Sequence, residues 1–188
     1  MLKLNARQLR DLNSADVIVS RNRRPIYFIL DNIYDTYNIG GLFRLADAIN
    51  AAKMYICGES ETPPNHKIKK ASIGTYKIVP WKYKKSVNEA IDDLSNRLPC
   101  LGELADPRND KVQIVAVEQS KNAVPYTTYN YKYPIALVLG NETSGVSKEA
   151  LESSDAVVEI PMYGINKSLN VIVSAAIVSY QILTKLKE

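Results

Sequence analysis

The sequence predicts an α/β fold in which a mostly parallel sheet carries helices on both faces. Strand-like and helix-like segments alternate along the 188-residue chain, which is the order found in such folds. The strand-like segments are apolar throughout rather than alternately polar, as expected for parallel strands buried on both faces. Polar or glycine-bearing loops follow the strands that end near Leu30, Leu139 and Ile160. Ligands of such sheets bind beyond the carboxyl ends of strands, so these loops form the candidate site.

In the first half of the chain, apolar spacing and capping residues delimit the elements. Leu9 and Leu12 recur at helical spacing, and Asn38 is a candidate cap for the helix that follows a polar loop. Ser86, with Glu89 three residues later, has the pattern of a capping box. The predicted elements are a helix at 6–19, a strand at 26–30, a loop at 31–37, a helix at 38–50, a strand at 53–57, a short helix at 67–73, a short strand at 77–79 and a helix at 86–98.

The second half begins with a polar loop and then repeats the alternation. The apolar run before Gly140 is the clearest buried strand. Ser168 is a candidate cap for the long apolar helix that follows it. The predicted elements are a loop at 101–110, strands at 112–117 and 135–139, a short helix at 147–153, a strand at 156–160 and a helix at 168–185.

Composition favours a single compact domain over residues 1–188, with residues 1–24 as a helical extension. Hydrophobic residues make up 46% of the chain, which is enough for a sizeable core. No apolar run reaches the roughly 18 residues of a membrane span, and the N-terminal residues lack the apolar core of a signal peptide. The two cysteines, Cys57 and Cys100, form no Cys-x-x-Cys pair or Cys/His cluster. We therefore expect a cytoplasmic protein without a bound metal, a membrane span or a disulfide framework.

Basic residues are concentrated in two segments. The net charge is only +4, but residues 63–85 hold seven lysines and His66 and lack Asp and Glu. Tyr76, Trp81 and Tyr83 lie among these lysines. Basic surfaces with aromatic side chains suit a phosphate backbone and unstacked bases, although an ordinary solvated surface can have the same composition. The candidate nucleic-acid-binding residues are Arg21, Arg23, Arg24, Lys67, Lys69, Lys70, Lys82, Lys84 and Lys85.

The first candidate loop leads into the helix that contains Arg44. Gly40 and Gly41 allow the backbone to approach a neighbouring group closely. The fork of donors on Arg44 fits a phosphate or a carboxylate. A helix cap followed by a surface arginine would give the same residues, so the spacing alone leaves both interpretations open.

The other two loops follow the later buried strands. Gly140 and Gly145 bracket Glu142 in a tight loop that suits either a small ligand or a plain turn before a helix. Asn170 is a mediocre helix former near the start of a helix, where its side chain can point at a bound ligand. The common nucleotide signatures, a G-x-G-x-x-G after a strand and a Walker loop, are absent from the sequence.

Together and in this order, the three loops resemble motifs 1, 2 and 3 of the SpoU/TrmH family of SPOUT methyltransferases. The motifs read Asn38-x-Gly40-x-x-x-Arg44-x-Ala46, then Leu137-Val138-Leu139-Gly140-Asn141-Glu142-x-x-Gly145, then Ile160-Pro161-Met162 followed by Ser168-Leu169-Asn170-Val171. The resemblance extends from Ile26 to the C-terminus. Asn50 departs from it, because many members have glycine at that position.

This resemblance implies a knotted fold, a methyl donor and a dimer. Residues 112–188 would form the family's deep trefoil knot, and S-adenosylmethionine would bind in a bent conformation among the knot loops. Members are usually homodimers, so Arg44 of one subunit would lie near the donor in the other. The implied donor-binding residues are Val117, Glu118, Gln119, Leu139, Gly140, Asn141, Gly145, Ile160, Met162, Ser168, Leu169 and Asn170.

The implied reaction transfers a methyl group from S-adenosylmethionine to a ribose 2′-hydroxyl of structured RNA, with tRNA favoured over rRNA. Arg44 would act either as the base or as a phosphate clamp that polarises the hydroxyl. The implied catalytic residues are Arg44, Asn38, Glu142, Ser168 and Asn170. A non-catalytic RNA-binding protein on the same scaffold and a base-methylating SPOUT enzyme are the alternatives.

Overall fold

The computed structural model describes residues 3–12, 23–96 and 111–186. Within these residues, seven parallel strands form one sheet in the order β3-β2-β1-β6-β4-β7-β5. The strands are β1 Arg24–Asp31, β2 Ala51–Cys57, β3 Trp81–Lys84, β4 Gln113–Val117, β5 Val124–Pro125, β6 Ile135–Leu139 and β7 Ala156–Glu159. The helices are α1 Ala6–Asp11, α2 Thr36–Ala48, α3 His66–Ser72, α4 Val87–Ser95, α5 Lys148–Glu152 and α6 Val171–Lys185.

Helices cover both faces of this sheet, as the sequence predicted. Successive side chains of a strand point to opposite faces, so Phe28 joins one core cluster and Ile29 the other. Side chains of α2 and α6 complete the first cluster, and those of α4 and α5 complete the second. Every residue of β6 is buried, because this strand lies in the middle of the sheet between the two helical layers. This position accounts for the unbroken apolar run at 135–139.

Most of the predicted elements are confirmed. The strands predicted at 26–30, 53–57, 112–117, 135–139 and 156–160 are present, with ends that differ by at most two residues. The short helices expected at 67–73 and 147–153 correspond to α3 and α5, and α4 is capped by the Ser86 hydroxyl as predicted. The loop expected at 101–110 lies outside the described residues.

The helix α2 begins earlier than the sequence indicated. Asn38 is not its cap; Asp35 is, and its carboxylate accepts the main-chain N–H of Tyr37 at 2.8 Å. The predicted loop at 31–37 is correspondingly shorter, and Asn38 lies buried in the first turn. Just beyond the other end of the helix, Asn50 has a φ of 55°. Glycine and asparagine enter this left-handed region most readily, so an asparagine suits the backbone at this position.

The prediction of a short strand at 77–79 is wrong. Residues Thr75–Lys77 form a single 3-10 turn, which follows the left-handed Gly74. The turn ends at Lys77, and the carbonyl of Pro80 accepts the main-chain N–H of Met54 at 2.9 Å. The strand therefore begins at Trp81, where it pairs with β2 at the edge of the sheet.

Three further boundaries differ from prediction. The first helix ends at Asp11 because Leu12 is extended (φ −59°, ψ 127°); the remainder of the predicted 6–19 helix lies outside the described residues. The last helix begins at Val171, where Asn170 rather than Ser168 caps it by accepting the N–H of Ile172 at 2.9 Å. The strand β5 was not predicted, because two residues are too short for a pattern.

Candidate active site

A pocket of about 600 Å³ lies at the carboxyl ends of β4, β6 and β7. Its size is in the range of small-molecule sites. It is lined by the loops that follow the three strands, together with the first turns of α6. The lining includes all twelve residues implied as donor-binding: Val117, Glu118, Gln119, Leu139, Gly140, Asn141, Gly145, Ile160, Met162, Ser168, Leu169 and Asn170. It also includes Glu142, Thr143, Ser144, Asn166, Lys167, Val171 and Ser174.

The loop at 140–145 has a fixed shape. The main chains of Asn141 and Gly145 exchange two hydrogen bonds, each of 2.9 Å. The side-chain oxygen of Asn141 accepts the N–H groups of Thr143 and Ser144 at 2.8 and 3.0 Å. Gly145 has a φ of 71°, and a side chain there would collide with the Glu118 carboxylate. These constraints explain why the sequence has an asparagine and a glycine at the two ends of the loop.

Side chains from the loop after β4 connect the pocket's walls. The carboxylate of Glu118 accepts the main-chain N–H of Val146 at 2.9 Å, at the end of the second loop. The side-chain amide of Gln119 donates to the carbonyl of Lys167 at 2.6 Å, in the third loop. The three walls of the pocket are therefore joined by hydrogen bonds as well as by the sheet beneath them.

A polar bridge joins residues from all three predicted motifs. The side-chain nitrogen of Asn38 donates to a Glu142 carboxylate oxygen at 2.7 Å. The side-chain oxygen of Asn38 accepts from the Asn170 amide at 2.9 Å. These two bonds fix the Asn38 amide at both ends, and the residue is only 5% exposed. Of the five implied catalytic residues, these three are in direct contact, and Ser168 lies on the pocket wall.

Arg44 is not brought to this pocket within one chain. Its side chain is exposed on α2 and does not line the cavity. Tyr37 lies seven residues earlier and is 50% exposed, so the two share one face of the helix. Gly41 lies between them, and a side chain there would collide with Ile172 of α6. The face that carries Arg44 therefore adjoins the start of α6.

The predicted cations of residues 63–85 fall into two groups. Lys67, Lys69 and Lys70 are exposed along α3, and Lys85 is exposed after β3. Lys82 and Lys84 both contact one oxygen of Asp93, at 2.8 and 2.9 Å. The other oxygen of Asp93 accepts the Tyr55 hydroxyl at 2.8 Å. The hydrogen bond to Asp93 raises the pKa of the Lys84 ammonium.

The predicted arginines occupy different environments. Arg21 lies outside the described residues, and Arg24 is the half-buried first residue of β1. The guanidinium of Arg23 donates to the carbonyls of Ala51 and Ile78, at 3.1 and 2.8 Å. Burial lowers the pKa of this guanidinium, and the carboxylate of Asp47 opposes the shift. Arg23 therefore links β1 to the start of β2 and to the turn before β3.

Several groups near the site were not identified from the sequence. Asp31 and Asn32 end β1 and contact the second loop, although the sequence placed them in an undifferentiated polar loop. A charged residue directly after an apolar run is the signal that could have found them. The thiol of Cys57 is buried, and desolvation raises its pKa to about 12, so it is not a nucleophile at neutral pH.

Residues 3–12, 23–96 and 111–186 also bear on metal binding and on membrane insertion. In that part of the chain, no group of three or more His, Cys, Asp or Glu residues is arranged to hold a metal ion. None of the helices there combines the length and the apolar character that crossing a bilayer requires.

Comparison with known proteins gives a consistent picture. The curated tRNA (guanosine(18)-2′-O)-methyltransferase of Aquifex aeolicus is 29% identical over 170 residues, which cover 87% of this chain and 71% of the relative. The Escherichia coli (strain K12) enzyme of the same name is 24% identical and is covered over 65% of its length. The chain thus spans about two thirds of the length of these relatives.

Solved structures share the fold. The SpoU methyltransferase AviRb from Streptomyces viridochromogenes, in complex with the cofactor AdoMet, matches with a TM-score of 0.74 and 25% identity over 90% of this chain and 60% of its own. The A. aeolicus TrmH/SpoU tRNA modifying enzyme matches with a TM-score of 0.71 and 26% identity over 96% of this chain and 81% of its own. Residues 25–180 match the SpoU rRNA Methylase family, and this chain belongs to that family.

Proposed function

We propose that this protein transfers a methyl group from S-adenosylmethionine to a ribose 2′-hydroxyl of structured RNA, with tRNA favoured over rRNA. The observation that carries the proposal is the bridge of Glu142, Asn38 and Asn170 on the wall of the pocket. It connects a helix outside the pocket to two of the loops that form it. The names of the relatives support the reaction class, since they describe 2′-O-methylation of guanosine in tRNA and rRNA.

The pocket has the chemical character that the donor requires. Leu139, Ile160 and Met162 provide apolar contacts, and main-chain groups of the 140–145 loop provide donors and acceptors. The carboxylates of Glu118 and Glu142 give the pocket negative charge, which suits a sulfonium. The donor supplies an electrophilic methyl group, and the protein has to present an RNA hydroxyl to it in line. We expect the family's knot to surround this pocket over residues 112–188.

The protein's own residues would prepare the hydroxyl. The bridge fixes the Glu142 carboxylate and the Asn38 amide beside the pocket, where they can orient the ribose and the groups that contact it. A guanidinium keeps its proton in proteins, so we favour charge over base catalysis as the role of Arg44. In that role Arg44 clamps a phosphate and polarises the 2′-hydroxyl. Ser168 and Asn170 would position the donor.

A homodimer would bring Arg44 to a pocket. The face of α2 that carries Tyr37 and Arg44 adjoins the exposed side of α6, where Val173 and Tyr180 are 46% and 52% exposed. Exposed apolar side chains that lie close together are typical of interaction surfaces. Pairing of two chains across this face would cover these side chains and place Arg44 of one subunit near the donor of the other.

RNA would first contact a basic surface made by α3 and α1. Lys67, Lys69 and Lys70 are exposed on α3, and Arg7 and Arg10 are exposed on α1. The ammonium of Lys77 donates to the carbonyls of Arg10 and Leu12 at 2.9 and 2.6 Å, and so holds α1 against the turn that follows α3. Cations on both helices can then contact one phosphate backbone. We also propose that residues 1–188 act as a single domain in the cytoplasm, with residues 1–24 as its extension.

Two measurements test the proposal. Isothermal titration calorimetry should show micromolar binding of S-adenosylmethionine, and Asn170→Ala should weaken it. Mass spectrometry of tRNA and rRNA incubated with the protein and donor should then locate the new methyl group on a ribose. Methylation of a base would assign the chain to the alternative chemistry of the superfamily. Absence of donor binding to the folded protein would favour a non-catalytic RNA-binding scaffold.

A further inference from the structure

A chain of hydrogen bonds runs beside the pocket from the end of β1. Asp31 is 3% exposed and uses both carboxylate oxygens as acceptors. One oxygen accepts the main-chain N–H of Ser147 at 2.7 Å, where α5 begins. The other accepts the side-chain N–H of Asn32 at 2.9 Å. The carboxylate thus fixes two donors from different parts of the chain.

Asn32 carries this connection to the pocket loop. Its φ of 52° turns the main chain, and its carbonyl accepts the side-chain N–H of Asn141 at 2.6 Å. Its side-chain oxygen accepts the main-chain N–H of Glu59 at 3.0 Å. The side chain of Asn32 is therefore held between Asp31 and Glu59. Because the side chain is held, the direction of its carbonyl is held as well.

The contact at Asn141 matters because this residue shapes the loop. Its oxygen binds the N–H groups of Thr143 and Ser144, while its nitrogen donates to Asn32. Both ends of one amide are thus used, one within the loop and one outside it. The loop also carries Glu142, which binds Asn38.

We propose that Asp31 and Asn32 are positioning residues that hold the 140–145 loop in its donor-binding shape. Neither lines the pocket, so they would act through Asn141 and Ser147 rather than by contact with the donor. The inference rests on the proposed function, since it takes the donor to be S-adenosylmethionine.

The direction of these hydrogen bonds provides a sharp test. In Asp31→Asn, one of the two acceptors becomes an N–H donor. It must then face either the N–H of Ser147 or the side-chain N–H of Asn32. In either case two N–H donors face each other. If the Asn32 amide turns around, its nitrogen then faces the main-chain N–H of Glu59, so two donors still meet. A buried donor without an acceptor costs about as much as a missing hydrogen bond, or more.

The exchange Asp31→Asn with Asn32→Asp removes the conflict. The amide oxygen introduced at position 31 can accept from Ser147, while the amide nitrogen beside it donates to the carboxylate introduced at position 32. The second oxygen of that carboxylate can accept from Glu59. Aspartate also tolerates the left-handed backbone, and the net charge is unchanged. Asn32→Asp alone should fail, because it sets two carboxylates against each other.

The experiment measures S-adenosylmethionine affinity by calorimetry for the wild type, both single variants and the exchange. Each protein is measured well below its thermal midpoint, with folding checked by circular dichroism. We expect the affinity of each single variant to fall about tenfold, the scale of one buried hydrogen bond. The exchange should recover most of that loss. Asp92→Asn, at an exposed carboxylate on α4, controls for the loss of one negative charge.

The outcomes separate positioning from simple stability. A thermal midpoint that falls while donor affinity stays at the wild-type value would overturn the inference, and so would an exchange variant as weak as the single variants. If a single variant does not fold, recovery of folding and of wild-type donor affinity in the exchange variant still supports the inference. Failure of the wild type to bind the donor would instead refute the proposed function, and the inference with it.

Discussion

The polar side chains of the pocket are bound to one another, whereas the cations of residues 63–85 are individually exposed or paired. Beside the pocket, Asn38 is held by Glu142 on one side and Asn170 on the other. In the basic segment, Lys69 is exposed while Lys82 is paired with Asp93. Substituting one residue of the bridge should therefore disturb the others, whereas the effect of substituting a cation should depend on whether that cation is exposed or paired.

The largest effect should come from Arg44. Arg44→Ala removes the charge assigned to the RNA hydroxyl, so the methyl-transfer rate should fall by about 100-fold or more. Donor affinity should change much less than the rate, because Arg44 is assigned to the RNA phosphate and the 2′-hydroxyl rather than to the donor. Single-turnover transfer of radiolabelled methyl groups measures the rate. Wild-type activity with RNA binding intact would contradict the assignment.

Mixed dimers would sharpen this prediction. A dimer of one Arg44→Ala chain with one Asn170→Ala chain retains one complete site if each site draws on both subunits. Co-expressed chains with different tags allow its purification, and each single-variant homodimer is the control. Activity no higher than that of the homodimers would place Arg44 and Asn170 of the same chain in one site.

The next largest effect should come from the exposed lysines of α3. Replacing Lys67, Lys69 and Lys70 by glutamine should lower RNA affinity about tenfold or more near 0.1 M salt. The slope of log affinity against log salt should fall by about one for each phosphate that the variant no longer neutralises. Filter binding over a range of salt concentrations measures both, and calorimetry should find donor affinity unchanged. An unchanged slope would exclude this surface.

A stability effect without an RNA effect is expected at Arg23. Arg23→Met removes the bonds to the carbonyls of Ala51 and Ile78, so the free energy of unfolding should fall by about 1–3 kcal/mol. Urea denaturation measures this change. If RNA affinity and its salt slope fell as much as in the α3 variant, Arg23 would belong to the RNA-binding surface.

The smallest effect should come from Lys82 and Lys84. A single carboxylate, that of Asp93, holds both ammoniums and offsets one of their two positive charges, so replacing both by glutamine should lower RNA affinity less than replacing the three α3 lysines does. The same salt titration compares them directly with the α3 lysines. A decrease in slope equal to that of the α3 variant would show that RNA displaces Asp93, and the division into two groups would not hold.

Two of the three loops that the sequence indicated, after Leu139 and after Ile160, line the pocket, because strand ends limit where a ligand can bind; the loop after Leu30 does not line it. An apolar run that stops at Gly140 places Glu142 at the edge of the sheet whatever the rest of the chain does. The bond from Asn38 to Glu142 was not predictable in this way, since it depends on β1 lying beside β6. Asparagine is favoured at helix caps, so the sequence predicts Asn38 as the cap, but Asp35 caps the helix three residues earlier.

Charge counting in the sequence could not separate the two groups of lysines. The carboxylate that contacts both Lys82 and Lys84 is that of Asp93 on α4, outside the basic segment, and only the fold brings it close. Arg23 illustrates the same limit. It belongs to an arginine cluster in the sequence, yet its guanidinium is fixed by main-chain carbonyls from the next strand and from the turn before β3.

The bridge through Asn38 can be complete only after most of the chain has been synthesised. Its bonds join residues 104 and 132 positions apart in the chain. Contacts between such distant segments form late, because a long loop has to close before they are gained. A nascent chain whose helix α6 has not yet left the ribosome therefore lacks the bond from Asn170 to Asn38, although its central strands can already pair. Competence for the reaction should appear only after α6 has emerged, so products truncated before that helix would be inert.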